Sequence, residues 1–341
     1  MDGVLVDVSM SYRQAIQQTV QVYFETCLGL KKGHRNLVTK EDISLFKSIG
    51  GFNNDWDLTS ALILSLLSVS GIPPSARRQP FSAVGDVVQH LKTKSSPFHL
   101  RINPLLEKKK LSLFVQRVRS CGGGLRGLRL ALRRTRRASW DGWLYRYGDL
   151  DKENLVKRIF QELYLGKQFA SSTRLRPIFY TGPGYYLQEQ LLIPRNILAL
   201  LRKRVRMGIA SGRPRFEALL ALKRFRILSL FDSIVTLEEC EEEERRILRK
   251  TGARVKRTKP HPYPILRVAQ EIGTDRLRCG YIGDVVDDMH AARAAKKTSD
   301  VTAIGFLCGH ANKKSAKETL SAAGADHVIE KPEDLLRMID S

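Results

Sequence analysis

From Arg206 to the end of the chain, short apolar runs alternate with stretches of helical period. Arg206–Ala210 is an apolar run ending at Ser211-Gly212, and Pro214–Arg226 follows as a helix with proline near its first turn. Phe231–Thr236 reads as the next strand. Tyr263–Ile272 is helical, with Gly273 as its stop signal. The pattern then repeats three times: strand Cys279–Gly283 with helix Asp288–Lys297, strand Val301–Leu307 with helix Lys313–Ala323, and strand Asp326–Ile329 with helix Pro332–Ile339. Alternation at this spacing predicts an α/β fold, a parallel sheet covered by helices on both faces. Such sheets carry their chemistry at the C-terminal strand ends, near the switch point.

The first half has a different period. Ser11–Leu28 places Ala15, Ile16, Val20, Tyr23, Phe24 and Cys27 on one broad stripe. Thr39 followed by Asp42 is a capping signature that opens a helix over 39–46. Leu58–Ser68 and Leu155–Tyr164 are further helices, and nothing between Ser11 and Leu165 reads as a long strand. Only Met1–Ser9 does, through Val4, Leu5 and Val6. The expected organisation is one terminal strand, a long helical insertion, then the rest of the sheet: core 1–9 and 186–341, insertion 10–185. Segment 95–148 stays open between a basic helix after the glycines at 122–124 and an irregular loop.

Composition narrows the class. The 341 residues are 43% hydrophobic and 27% charged, which is globular and long enough for two domains. Asp2 and Asp7 stand where a signal peptide would be basic, and Leu58–Ile72 is too short to span a bilayer, so the expectation is a soluble, cytoplasmic protein without a membrane partner. Cys27, Cys121, Cys240, Cys279 and Cys308 are scattered and odd in number, which excludes a disulfide framework or a Cys-based zinc site. The net charge of +23 is uneven. It concentrates in 101–140 and 201–226, against an acidic run at Glu241–Glu244. Such a field draws anions, whether phosphorylated metabolites or nucleic acid.

Four fragments offer chemistry. Gly280–Asp288 delivers Asp284, Asp287 and Asp288 at a strand end; this suits a hard cation, or simply an acid-decorated helix start. Ser211-Gly212 offers a hydroxyl and free amides for a phosphate, or an ordinary N-cap. Lys259 before Pro260 is a cation on an extended backbone. Asp2-Gly3 opens the first strand. In this order, the four resemble the haloacid dehalogenase superfamily of phosphatases, subfamily IA-like, over Met1–Ser9 and Arg195–Ser341. The helical insertion resembles that family's cap, and segments around Tyr12-Arg13, 50–57, Ser139–Asp141 and Tyr164–Gly166 resemble one of its hydrolase subgroups.

The resemblance implies a Mg²⁺-dependent phosphatase for a small phosphorylated metabolite, working through an aspartyl-phosphate. Asp2 would be the acid/base and, through its carbonyl, a metal ligand; Ser211 and Lys259 would hold the phosphoryl group with Gly212. Asp284 would bind the metal, with Asp288 or Asp287 as the further carboxylate. The nucleophile would fall directly before Met1, so none is expected in this chain, and a start placed at an internal methionine is the expected reason. For substrate contacts in the cap the resemblance offers Arg13, Asn53, Asn54, Asp55 and Trp56, although 53–56 also reads as a helix start with Trp56 in the core. The alternative to an enzyme is an inactive scaffold of the same fold that binds phosphorylated ligands or nucleic acid, chiefly through Arg133–Arg137.

Overall fold

The computed structural model describes residues 1–31, 33, 36–52, 54–100, 108–136, 138–273, 278–310 and 312–340. The chain divides into two compact units, Met1–Val8 with Glu189–Ser341, and Ser9–Gln188.

The second unit is helical. Tyr12–Val22 (α1) runs on into a π-helical turn, Tyr23–Cys27. Lys40–Lys47 (α2) opens with Thr39 and Asp42 in a reciprocal capping box, the signature seen in the sequence. Asp55–Leu67 (α3) is buried along its whole length from Leu58, with the hydroxyls of Thr59, Ser60 and Ser65 donating to carbonyls one turn back. Val84–Ser95 (α4), Lys108–Ser120 (α5), Gly124–Arg136 (α6), Leu155–Leu165 (α7) and Gln168–Thr173 (α8) complete it. Tyr23, Phe24, Phe46, Trp143, Tyr145, Phe160 and Tyr164 fill its core. Within segment 95–148, the basic helix expected after the glycines is α6, and a second helix, α5, precedes them. The hairpin requires Gly124 at positive φ, where its backbone closes on Gly51.

The first unit is α/β. In chain order it holds Val6–Asp7 (β1), Gln190–Leu191 (β2), Arg195–Arg202 (α9), Gly208–Ala210 (β3), Arg215–Arg224 (α10), Ser233–Val235 (β4) and Leu237–Thr251 (α11). Tyr263–Ile272 (α12), Cys279–Gly283 (β5), Val286–Ala295 (α13), Val301–Phe306 (β6), Lys313–Ala323 (α14), His327–Ile329 (β7) and Asp334–Asp340 (α15) follow. The parallel pairing expected from the alternation is present, in two pieces: β3 beside β4, and β5-β6-β7. Met289, Ala292 and Ala295 of α13 and Leu320 of α14 pack on Val301 and Ala303 of β6 as its main apolar cluster.

Two expectations fail locally. Met1–Ser9 is not a parallel strand, although its apolar side chains are buried. The amides of Val4, Leu5 and Val6 all turn back to the Met1 carbonyl, Gly3 takes φ +68°, and only Val6–Asp7 remains extended, antiparallel to β2. Gly273 ends α12 in extended backbone rather than a left-handed cap.

Candidate functional site

The candidate residues of the α/β unit are carried by the turn before β1, the end of β3, the segment between α11 and α12, and the end of β5 with the first turn of α13. At the end of β3, Ser211 is buried, its amide tied to the Val235 carbonyl. Its Oγ accepts from the Arg213 amide at 3.1 Å. That is a tight hydroxyl turn, not the N-cap of α10, which is Pro214. Gly212 stands exposed beside it.

Lys259, preceded by the turn after α11 and joined to Pro260 by a cis bond, reaches Asp288 Oδ1 at 2.6 Å and the Tyr281 hydroxyl at 3.2 Å. Tyr281 donates to the same carboxylate oxygen at 2.9 Å, and the Asp284 amide approaches Asp288 Oδ2 at 3.2 Å. Both carboxylate oxygens of Asp288 are therefore engaged within the protein. Burial opposes charge on Lys259, but the facing Asp288 carboxylate outweighs it and holds the ammonium well above the usual lysine range. Burial likewise opposes ionisation of Asp288, and Lys259 overrides it and lowers its pKa. Burial raises the Tyr281 phenol and, with the charge of Asp288, raises Asp287 as well.

Asp284 lies where β5 gives way to α13. A Cβ on Gly3 would sit 1.8 Å from its Oδ2, so only glycine permits this approach. The Asp284 carbonyl meets His310 Nε2 at 2.9 Å. Asp2, next to Gly3, is ion-paired to the Arg213 guanidinium, which also grips Glu189 at 2.9 Å. A continuous line of contacts thus runs from Ser211 through Arg213, Asp2, Gly3, Asp284 and Asp288 to Lys259. Glu189, Arg213, Tyr281 and His310 are the members that the motifs did not announce. Asp287 is drawn into none of these contacts.

Among the described residues, no three His, Cys, Asp or Glu side chains come together as a metal-holding group. The donor set still fits Mg²⁺: it is oxygen only, and this ion is commonly held by one or two carboxylates plus water and phosphate oxygens. Asp284, packed on Gly3, offers one such carboxylate.

In the helical unit, the candidate contacts take structural places. Asn54 is the N-cap of α3, accepting from the Asp57 amide at 2.8 Å, and Asp55 pairs with Lys47 at 3.0 Å. Trp56 lies edge-on to Phe160 with Lys157 Nζ 4.2 Å above its ring, and its buried Nε1 meets no partner. Arg13 likewise has a buried, unpartnered Nε. Asn53 lies outside the described residues, as does Arg137 of the basic run. On α6, Arg129 donates from Nε and NH2 to the same oxygen of Asp141, Oδ1, while Arg126, Arg133 and Arg134 are exposed. All five cysteines are free, and burial pushes the Cys27 and Cys240 thiols to about 12, so neither is a thiolate nucleophile. Among the described residues, no helix is long and apolar enough to cross a membrane.

Residues 193–299, which include Ser211, Lys259, Asp284 and Asp288, match the family model of haloacid dehalogenase-like hydrolases. The resemblance read from the motifs holds over that stretch. A phosphoglycolate phosphatase of Xylella fastidiosa is 38% identical over 79 residues, 23% of this chain and 31% of that protein. An imidazoleglycerol-phosphate dehydratase of Phytophthora nicotianae is 26% identical over 325 residues, 95% of this chain. The chain spans 45% of that relative's length and so covers less than half of it. A structural-genomics target solved by X-ray diffraction has the same fold, with a TM-score of 0.63 at 19% identity, over 100% of this chain and 97% of the other.

Proposed function

We propose that the α/β unit is a Mg²⁺-dependent phosphomonoester hydrolase working through an aspartyl-phosphate. The observation that carries this reading is the line of contacts from Ser211 to Lys259, which links all four motif positions. Ser211 Oγ, the exposed Gly212 amide and the Lys259 ammonium would receive the phosphoryl oxygens and the charge they gather in transfer. Asp288 and Tyr281 fix Lys259 and keep it protonated. The covalent step needs an aspartate directly before Met1, outside these 341 residues, and the scheme is for a chain that carries it. In that chain the aspartate oxygen bonds to phosphorus as the bond to the leaving alcohol breaks, and Asp2 gives the alcohol its proton. Asp2 then takes a proton from water as the acyl-phosphate is hydrolysed. Asp284 and Asp2 would hold Mg²⁺, which when bound neutralises phosphate charge.

For the substrate, the helical unit matters more than the core, because it would supply specificity. The phosphoglycolate phosphatase match covers only 79 residues, whereas the match to the dehydratase covers 95% of this chain, helical unit included. We therefore place the substrate among small phosphate esters that carry an imidazole, ahead of phosphoglycolate. The test is release of inorganic phosphate by a chain extended upstream with a strand ending in aspartate. Imidazoleglycerol phosphate and phosphoglycolate are compared with and without chelator, in parent and Asp284→Asn. Turnover should vanish with either loss, by about 100-fold or more. Turnover that survives both defeats the metal-dependent scheme, and a preference for phosphoglycolate defeats the substrate assignment.

A further inference from the structure

Arg213 is the least expected residue of the α/β unit. It is one of nine basic residues between 201 and 226, yet its side chain is 1% exposed and its head group lies between two carboxylates. Nε donates to Asp2 Oδ1. On the other side, NH2 and NH1 reach Glu189 Oε1 at 2.9 Å and Oε2 at 3.4 Å. Its backbone amide donates to Ser211 Oγ at 3.1 Å. One residue therefore orients the hydroxyl through its main chain and the Asp2 carboxylate through its side chain. Glu189 is fully buried and immediately precedes β2, whose register with β1 sets Leu191 against Val6 and Gln190 against Asp7. The Glu189 carbonyl in turn accepts from Arg224 of α10 at 2.9 Å. The anchor is thus tied into the strand that pairs with β1 and the helix that follows Ser211.

A buried guanidinium fork is a rigid, permanently charged device, and holding a carboxylate in one direction is what its geometry suits. Left alone, it would be an uncompensated buried cation; Glu189 supplies the counter-charge. We propose that Arg213 is the positioning residue for Asp2, with Glu189 as its anchor, so that Asp2 and Ser211 are set in register with each other. The catalytic consequence rests on the hydrolase reading above, whereas the coupling of Arg213 to Asp2 does not.

The coupling is tested in the 341-residue chain itself, with ¹⁵N-labelled arginine. The Arg213 Nε–H resonance, assigned by its loss in Arg213→Lys, should exchange slowly with solvent. It should shift on Asp2→Asn and stay in place on Asp7→Asn. A resonance indifferent to Asp2→Asn overturns the proposal whatever the activity. The catalytic consequence is tested in the extended chain. Arg213→Lys keeps the charge and loses the fork, and should lower kcat about 10- to 100-fold with little change in KM. The double variant Arg213→Met/Glu189→Met removes the buried charges together, and should regain thermal stability without regaining kcat. Parental kcat in that double variant would reduce Arg213 to a structural role and sink the proposal. Absence of turnover in the extended parent defeats the hydrolase reading instead, and leaves the Nε–H measurement to decide the coupling.

Discussion

Each unit of this protein buries an arginine against a glutamate, and the two pairs do different work. In the helical unit, Arg158 Nε meets Glu162 at 2.6 Å one helical turn on, and both are essentially excluded from solvent. What remains of each is spent on backbone. Glu162 Oε2 accepts from the amides of Ile178, Phe179 and Tyr180, at 2.8, 2.6 and 3.1 Å. Arg158 donates to the carbonyls of Leu150 and Arg176 and lies over the Phe169 ring. In the α/β unit, Arg213 and Glu189 are buried as deeply, but the Arg213 Nε is spent on Asp2, a motif side chain. A buried ion pair is weak evidence of function by itself. The destination of its remaining hydrogen bonds separates a pair that holds a loop from one that aims a carboxylate.

The largest expected effect falls on the loop-holding pair. Glu162→Ala strands the Arg158 guanidinium in the core and removes the acceptor of three amides at once. It should cost about 5 kcal/mol, the upper end for breaking a buried pair. Chemical denaturation of the full chain, followed by tryptophan fluorescence, should show it, since all three tryptophans, Trp56, Trp140 and Trp143, lie in that unit. Glu162→Gln keeps an oxygen for the amides and should fall between parent and alanine variant. A loss below about 1 kcal/mol for Glu162→Ala would mean the network is not what holds 176–180.

Next comes the pair that serves the site. Lys259→Met leaves Asp288 buried with the Tyr281 hydroxyl but without its ion-pair partner. Lys259 is 20% exposed, so some water relieves the loss, and about 3 kcal/mol is expected from the lower end of the same range. Turnover of the extended chain should fall far more steeply than stability accounts for, because the ammonium meant for the phosphoryl group goes too. If activity and stability fall in step, Lys259 is structural and the phosphoryl role given to its ammonium fails.

The same contrast governs how much could be read beforehand. The helices of the helical unit were legible where period and caps agree, as in Thr39 with Asp42, and the parallel pairing of the α/β unit followed from its alternation. Ser211, Lys259 and Asp284 stood out because glycine or proline punctuates the chain beside them. Arg213 did not, since a basic residue among basic residues reads as a solvated face; Pro214, which fixes the turn directly after it, was the available signal. Glu189 had none, as β2 is two residues long and shows no period. Tyr281 could have been found from strand phase, because residues 281 and 283 share one face of β5. Arg158 and Glu162 are four apart on α7, a spacing that signals a pair. The turn at Met1–Leu5 escaped because Val4, Leu5 and Val6 have strand composition, while Gly3 decides the local backbone.

The smallest effect comes from an ion pair that resembles neither of the other two. Asp326, ahead of β7, accepts from Lys296 at 2.5 Å and from the Ala303 amide of β6 at 2.7 Å, with its side chain still 35% exposed. Partial burial disfavours its charge, but the Lys296 and amide hydrogen bonds prevail and lower its pKa below the usual aspartate value. A carboxylate whose folded pKa is depressed stabilises the fold above its unfolded pKa of about 3.9, and that contribution fades as pH falls through the folded value. Asp326→Asn should therefore cost a little at pH 7, less than about 1 kcal/mol given the exposure. The gap to the parent should narrow steadily below pH of about 4. Added salt should shrink the effect at pH 7, because an exposed pair is screened, whereas the loss in Glu162→Ala should be nearly indifferent to salt. A gap that widens on acidification would reverse the sign of the Asp326 shift, and a salt-sensitive Glu162 variant would erase the distinction between charges buried for the fold and charges left at its surface.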